Sequence, residues 1–126
     1  MSVDTVLDAS AILAFLWGEP GCEAVNEAFV GGTVGCTLAN WSEVVAKVTA
    51  RGANWNVAEV ALIGHGLTLL AIDESDAVEA GRMWAKHPSL SLGDRLCLAV
   101  GERLGAAILT ADGEWAAVSP LVHLIR

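Results

Sequence analysis

The chain has 126 residues, a formal net charge of −8 at pH 7, and 54% hydrophobic against 17% charged residues. This composition excludes a disordered chain, and the length suits a single domain with one core. The negative charge disfavours binding to nucleic acid or to an anionic membrane unless a cation intervenes.

The cysteines and the hydropathy pattern predict the compartment. No basic, signal-like start and no apolar run of membrane length occurs in the sequence, so we expect a cytoplasmic protein that does not bind membranes. The three cysteines show no metal-ligand spacing and lie in apolar surroundings. We therefore predict buried free thiols, in a reducing compartment, at Cys22, Cys36 and Cys97.

Short apolar runs alternate with longer amphipathic runs along the chain. The apolar runs predict five strands, at 5–8, 33–37, 68–72, 106–110 and 122–125. The amphipathic runs predict six helices, at 11–17, 21–30, 39–51, 56–64, 75–86 and 94–104. Strands that alternate with helices and are apolar on both faces are typical of parallel sheets. We therefore predict one α/β domain over residues 1–126, a three-layer α/β/α sandwich with a mostly parallel sheet of about five strands.

Three aspartates lie where such a sheet places its ligand site, at the carboxyl ends of the strands. Asp8 ends the first predicted strand, Asp112 follows the fourth, and Asp94 begins the helix that leads into the fourth strand. Each also has a local interpretation: a helix cap for Asp8, a favourable helix dipole for Asp94 and a turn with Gly113 for Asp112. The residues alone leave both interpretations open.

Glu43 is ambiguous for a different reason. The apolar face of its predicted helix consists of Trp41, Val45 and Val48 and lies on the side opposite to Glu43. Glu43 is then exposed, and Lys47 one turn later is available for a surface ion pair. The small residues that share the face of Glu43 are Ala39, Ala46 and Ala50. They would let that face approach another element and carry the carboxylate inward, so helical geometry does not decide.

A family resemblance connects these residues. Three segments, "LDASAILAFLWGEPG", "NWSEVVAKV" and "LSLGDRLCLAVGERLGAAILTADGEW", resemble in order the motif blocks of PIN-domain ribonucleases, specifically the VapC-like toxins of toxin–antitoxin pairs. The resemblance covers nearly the whole chain. It implies an acidic catalytic pocket of Asp8, Glu43, Asp94 and Asp112. It further implies that Ser10 and Thr110 orient carboxylates or water.

The resemblance also implies a metal-dependent endoribonuclease. Four clustered carboxylates repel one another unless divalent cations hold them ionised, and oxygen ligands select Mg²⁺ or Mn²⁺. Asp8 and Asp94 are the expected principal ligands, with Glu43 and Asp112 as further ligands or water-positioning groups. Some relatives carry a further acid shortly after the last aspartate. Here Gly113, Glu114 and Trp115 follow Asp112 instead, and this departure leaves Glu114 without an assigned role.

The predicted partners are RNA, a cognate antitoxin and a second copy of the chain. Three basic residues near the proposed pocket are candidates to hold substrate phosphates: Lys47, Arg51 and Arg95. A role on the solvated or ion-paired surface is at least as good an interpretation of each. A chain this apolar, with five tryptophans, is expected to cover part of its surface in a homodimer and with the antitoxin.

Two other enzyme classes do not fit the sequence. A phosphotransferase of the haloacid-dehalogenase type needs a second acid two residues after the first, where this chain has Ser10. A receiver-type phosphoacceptor domain needs a lysine after a late strand, and none lies between Arg103 and Arg126. The remaining alternative is a PIN-like binding module without catalysis, which would bind metal without cleaving RNA.

Overall fold

In the computed structural model, which describes residues 2–126, five strands alternate with six α-helices. The strands are β1 (Thr5–Leu7), β2 (Val34–Thr37), β3 (Thr68–Leu70), β4 (Ala107–Thr110) and β5 (Val122–Leu124). The helices are α1 (Ala9–Trp17), α2 (Cys22–Gly31), α3 (Leu38–Ala50), α4 (Trp55–Gly64), α5 (Glu74–Met83) and α6 (Leu92–Leu104). Every predicted strand and helix is confirmed with small differences at its ends. Residue 1 of the predicted domain lies outside the described residues.

The five strands form one sheet in the order β3-β2-β1-β4-β5, and every pair is parallel. The central strand β1 pairs Thr5 with Val34 of β2 and Leu7 with Leu109 of β4. This parallel α/β architecture confirms the predicted fold class. It brings the carboxyl ends of β1, β2 and β4 to one edge of the sheet, where Asp8, Thr37 and Thr110 lie.

Alternate residues of the strands enter two separate cores. Leu7 packs on one face of the sheet with side chains of α1 to α4. Val6 and Ile108 pack on the other face with α6, where Cys97 and Trp115 are fully buried. The period-2 alternation of a strand therefore separates the two helical layers, as a three-layer sandwich requires.

Hydrogen-bonding caps fix where the helices start. Asp8 caps α1, Thr37 caps α3 and Ser91 caps α6, each accepting a hydrogen bond from a backbone N–H of the first helical turn. Because Asp8 directly follows β1 and Thr37 is the last residue of β2, their helices begin at the carboxyl edge of the sheet. The helix starts thereby place the polar residues of the candidate site.

A 3-10 helix at Gly113–Ala117 precedes β5, in a stretch where a turn with Gly113 was one of the two interpretations left open for Asp112. The three cysteines are free, with Cys36 and Cys97 buried and Cys22 half-buried. Buried free thiols are thus confirmed at two of the three positions. Within residues 2–126, no helix combines the length and the apolar character that a membrane span needs.

Candidate functional site: an acidic pocket at the carboxyl edge of the sheet

Asp8 is the most buried carboxylate of the pocket, with 4% of its surface exposed. Its Oδ1 accepts hydrogen bonds from the backbone N–H of Ala11 at 2.8 Å and from Ser10 Oγ at 2.7 Å. Its Oδ2 accepts one from Thr110 Oγ1 at 2.6 Å. No lysine or arginine of residues 2–126 forms an ion pair with Asp8. Its charge is therefore held by neutral donors alone.

Burial raises the pKa of Asp8 from 3.8 to about 6. The hydrogen bonds from Thr110, Ala11 and Ser10 oppose this shift, and the neighbouring carboxylate of Asp94 adds to it. Ionised Asp8 is thus under-compensated, which is the condition that a nearby cation would relieve.

The hydroxyls of Ser10 and Thr110 connect Asp8 and the first turn of α1 to the end of β4. Ser10 Oγ accepts a hydrogen bond from the backbone N–H of Ala111 at 2.9 Å, and Thr110 Oγ1 accepts one from the N–H of Asp112 at 3.0 Å. Both hydroxyls also donate to Asp8. This is the arrangement that their predicted orienting role requires.

Asp112 lies at the exposed rim of the pocket. Its Oδ1 accepts a hydrogen bond from the backbone N–H of Glu114 at 2.9 Å and so caps the 3-10 helix. Glu114 in turn accepts a hydrogen bond from Ser89 Oγ at 3.1 Å. The local turn role considered for Asp112 is therefore present alongside its position next to Thr110.

Asp94 reaches the same edge from the first turn of α6. Its Oδ2 accepts a hydrogen bond from the backbone N–H of Ser91 at 3.0 Å, while Ser91 Oγ accepts one from the N–H of Asp94 at 3.1 Å. This reciprocal pair is a capping box. Asp94 is close enough to Asp8 to raise its pKa, so it caps α6 and also lies near Asp8.

Glu43 turns inward from α3, which settles the orientation that periodicity left open. Its Oε1 accepts a hydrogen bond from Asn40 Nδ2 at 2.6 Å. Its carboxylate also lies against the first turn of α6, where a Cβ added to Gly93 would be 2.5 Å from Oε1. Glu43 is half-buried at this contact between α3 and α6.

Two buried thiols lie behind the carboxylates. Burial raises the pKa of Cys36 to about 12, and the charges of Asp8 and Glu43 contribute to the increase. The pKa of Cys97 is also raised, by burial first and then by charges that include Asp8, Asp94 and Glu43. Both thiols therefore stay protonated and unreactive.

The basic residues that the sequence grouped near the pocket have separate contacts. Arg95 donates hydrogen bonds to the carbonyl oxygens of Ala80 at 2.8 Å and Leu90 at 3.4 Å. Its guanidinium thus joins α6 to α5 and the loop that follows, an arrangement that does not support the predicted contact with substrate. The guanidinium carbon of Arg51 lies 3.9 Å from the centre of the Trp17 ring, a cation–π contact. Lys47 is exposed on α3 and forms no ion pair within the described part of the chain.

Oxygen donors at this edge have the chemistry that a hard divalent cation prefers. In the described range 2–126, however, no three carboxylate, histidine or cysteine side chains already form a set that could hold a metal ion. Asp94 and Asp112 bond to backbone N–H groups and Glu43 to Asn40. The oxygen donors and the uncompensated charge of Asp8 fit Mg²⁺ or Mn²⁺. The carboxylates do not yet stand at the distances from one another that a bound ion requires.

Sequence reasoning missed two residues that border the pocket, Asn40 and Gly93. Asn40 lies three residues before Glu43, a spacing that places both on one side of a helix. An amide side chain on the same side of the helix as Glu43 was the available signal. Gly93 precedes Asp94 within the family-like segment, but its contact with Glu43 involves another helix and gives no local pattern.

The raised pKa of Asp8 predicts how the metal-free protein responds to pH. The pKa of Asp8 in the folded protein lies above its value in the unfolded chain. The stability that protonated Asp8 contributes is therefore fully present below the unfolded pKa and is lost as pH rises through about 6. We expect the free energy of unfolding of the wild type, minus that of Asp8→Asn, to fall by about 2 kcal/mol from pH 4 to pH 7. Urea denaturation of both proteins in chelator measures this difference. A difference that does not change with pH would contradict the raised pKa.

Comparisons with known proteins agree with this fold. The PIN domain family matches residues 5–120, whereas no curated protein matches the chain. Among solved structures, a toxin–antitoxin complex from Klebsiella pneumoniae is similar with a TM-score of 0.80 and 17% identity over 98% of both chains. VapBC2 from Rickettsia felis, bound to a DNA fragment from its promoter, is similar with a TM-score of 0.74 and 11% identity over 97% of both chains.

A third similar structure is VapC20 from Mycobacterium tuberculosis, a toxin that cleaves the sarcin–ricin loop. It has a TM-score of 0.72 and 14% identity, covering 92% of this chain and 95% of its own. At these identities the solved structures show a shared fold. Because the family match extends over nearly the whole sequence and the acidic pocket lies at the expected edge of the sheet, the chain belongs to the PIN domain family.

Proposed function

We propose that this chain is a metal-dependent endoribonuclease that acts as the toxin of a toxin–antitoxin pair. The observation that carries the proposal is that the Glu43 carboxylate lies against Gly93, the residue before Asp94, while Asp94 is near enough to Asp8 to raise its pKa. No lysine or arginine from residues 2–126 forms an ion pair with any of the three. Membership of the PIN domain family and the fold shared with an RNA-cleaving toxin support the same function.

Asp8, Glu43, Asp94 and Asp112 would hold the cation, Mg²⁺ or Mn²⁺. When bound, such an ion lowers the pKa of a water molecule and stabilises charge on the leaving oxygen of a phosphodiester. Asp8 contributes a carboxylate fixed on both oxygens by Ser10, Ala11 and Thr110. The other three carboxylates lie at helix starts or on α3, each held by one hydrogen bond, and rotation about their side-chain bonds would bring them to the ion.

The negative net charge of the protein makes the cation necessary for substrate binding as well. A polyanion such as RNA is repelled from an acidic pocket unless its phosphates meet positive charge. Lys47, exposed one turn after Glu43 on α3, is the basic side chain we assign to a substrate phosphate. Arg51 would join it by leaving the ring of Trp17. We assign Arg95 to the packing of α6 instead.

We also propose that the chain binds an antitoxin and forms a homodimer. Exposed apolar side chains on α4 support a protein partner, since Val57 and Val60 are 67% and 72% exposed. An arginine from the antitoxin would pair with the uncompensated carboxylates and compete with the cation. Co-expression with the neighbouring upstream reading frame tests the pairing, and light scattering tests the dimer. A monomer, or failure to associate with that neighbour, would count against this part of the proposal.

A non-catalytic binding module is the second candidate. The observation that favours it is that residues 2–126 contain no preformed set of metal-ligating side chains. Incubation of purified protein with total cellular RNA, in Mg²⁺ or in chelator, separates the two functions. The nuclease gives discrete fragments only in Mg²⁺, whereas the binding module retains metal and leaves the RNA intact.

A bound cation is expected to stabilise the fold. It relieves repulsion between Asp8 and Asp94 and binds only the folded chain, so Mn²⁺ at 100 times its dissociation constant should add about 2.7 kcal/mol to the free energy of unfolding. Thermal unfolding followed across a Mn²⁺ titration measures the effect, and excess chelator should reverse it. The same melting temperature at every Mn²⁺ concentration would contradict the proposed cation site.

A further inference from the structure

Asn40 is a buried polar residue that the proposed chemistry has not used. It is 1% exposed, and its Nδ2 donates to Glu43 Oε1 at 2.6 Å and to the carbonyl oxygen of Gly93 at 3.4 Å. Its Oδ1 is buried and has no hydrogen-bond partner among the described residues. An unpaired buried acceptor lowers the stability of a fold, so a residue that carries one beside a candidate site calls for a functional explanation.

Gly93 shapes the same contact from the opposite side. An alanine Cβ at this position would lie 2.5 Å from Oε1 of Glu43 and 2.9 Å from its carboxyl carbon. Both distances are shorter than van der Waals contact allows, so the Glu43 carboxylate would have to move. Gly93 thus leaves room for the carboxylate at the first turn of α6, one residue before Asp94.

We propose that Asn40 and Gly93 are positioning residues for Glu43. Asn40 holds the carboxylate toward α6 with Nδ2, and its unpaired Oδ1 would accept a hydrogen bond from a water molecule when the cation is bound. Gly93 provides the space in which that carboxylate lies. The inference rests on the proposed cation-dependent nuclease and adds two residues that determine where one of its carboxylates stands.

Asn40→Leu separates positioning from a structural role. Leucine has a similar volume and removes both the donor and the unpaired acceptor, so the melting temperature should stay the same or rise. The affinity for Mn²⁺, measured by calorimetry without RNA, should fall by about 10-fold or more, as for other residues that orient metal ligands. A lower melting temperature with unchanged Mn²⁺ affinity would instead identify Asn40 as a structural residue and overturn the proposal.

Gly93→Ala tests the space for the carboxylate, with Gly81→Ala as its matched control. Gly81 is also helical, in α5, and an added Cβ there has no neighbouring atom within 4 Å. The control should bind Mn²⁺ as the wild type does, whereas Gly93→Ala should bind it about 10-fold more weakly because Glu43 is displaced. Equal Mn²⁺ affinity in the two variants would contradict the role of Gly93.

A third measurement needs neither metal nor RNA. In the metal-free wild type, the side-chain amide proton of Asn40 that faces Glu43 should resonate downfield in an NMR spectrum, because its acceptor is charged and close. Glu43→Gln should move that resonance upfield, and an unchanged resonance would overturn the positioning of Glu43 by Asn40.

If the wild type neither binds Mn²⁺ nor cleaves RNA, the proposed function fails and this resonance still decides the contact. If the wild type does both and Asn40→Leu matches its Mn²⁺ affinity, only the further inference fails.

Discussion

Asp8→Asn is expected to lower RNA cleavage by on the order of 10³-fold, since the loss of a charged ligand removes several kcal/mol of stabilisation from the transition state. The fold should survive. Asparagine can accept the N–H of Ala11 with its oxygen and donate to Thr110 Oγ1 with its amide, so the network around residue 8 stays paired. Without metal, the variant should be more stable than the wild type at pH 7, because a buried, under-compensated charge is gone.

Asp4→Asn is the matched control for this substitution. Asp4 lies just before β1, at the opposite end of the strand, and accepts a hydrogen bond from the N–H of Thr33 at 2.8 Å. The control removes the same charge at a distance from the pocket, so its cleavage rate should equal that of the wild type. Rates measured with one RNA substrate in Mg²⁺ decide the comparison. Wild-type cleavage by Asp8→Asn, or an equal loss in Asp4→Asn, would remove Asp8 from the catalytic site.

Asp94→Asn should reduce cleavage by a similar factor and weaken Mn²⁺ binding by at least about 10-fold. The asparagine oxygen can still accept the N–H of Ser91, so the start of α6 and the melting temperature should change little. Removing this charge also relieves its repulsion of Asp8. Calorimetry with Mn²⁺ and cleavage assays measure the two losses separately.

Glu102→Gln controls for charge on the same helix. Glu102 is exposed on α6, eight residues after Asp94, and its substitution removes one negative charge far from the first turn. The control should keep both Mn²⁺ affinity and cleavage. Full activity in purified Asp94→Asn would show that Asp94 only caps the helix, which is the local interpretation that its sequence position also allows.

The fold could be predicted because each element carries its own signal. The strands are short apolar runs and the helices are amphipathic, and both patterns depend mainly on local burial. The 3-10 helix was missed for the opposite reason. Its sequence begins with Asp112 and Gly113, which indicate a turn locally, but Trp115 is fully buried in the core and draws the segment into a helical turn.

The site could be predicted only where topology determines it. Asp8 and Asp112 follow strands, so a parallel sheet places both at one edge. The orientation of Glu43 depends on Gly93, fifty residues later in the chain, and periodicity within α3 contains no information about that contact. Arg95 was grouped with the pocket because it follows Asp94, yet its guanidinium bonds to carbonyl oxygens that only the tertiary structure brings near.

The chemistry of the RNA ends tests the central claim most directly. Hydrolysis by a water molecule with the 3′ oxygen as leaving group gives a 5′-phosphate and a 3′-hydroxyl, whereas attack by the neighbouring 2′-hydroxyl needs no metal and gives a 2′,3′-cyclic phosphate. We predict that purified wild type with total RNA and Mg²⁺ gives discrete cuts with 5′-phosphate ends, and that chelator or Asp8→Asn abolishes them. Cyclic phosphate ends, or cuts that persist in chelator or in Asp8→Asn, would contradict a cation-dependent nuclease built on this pocket.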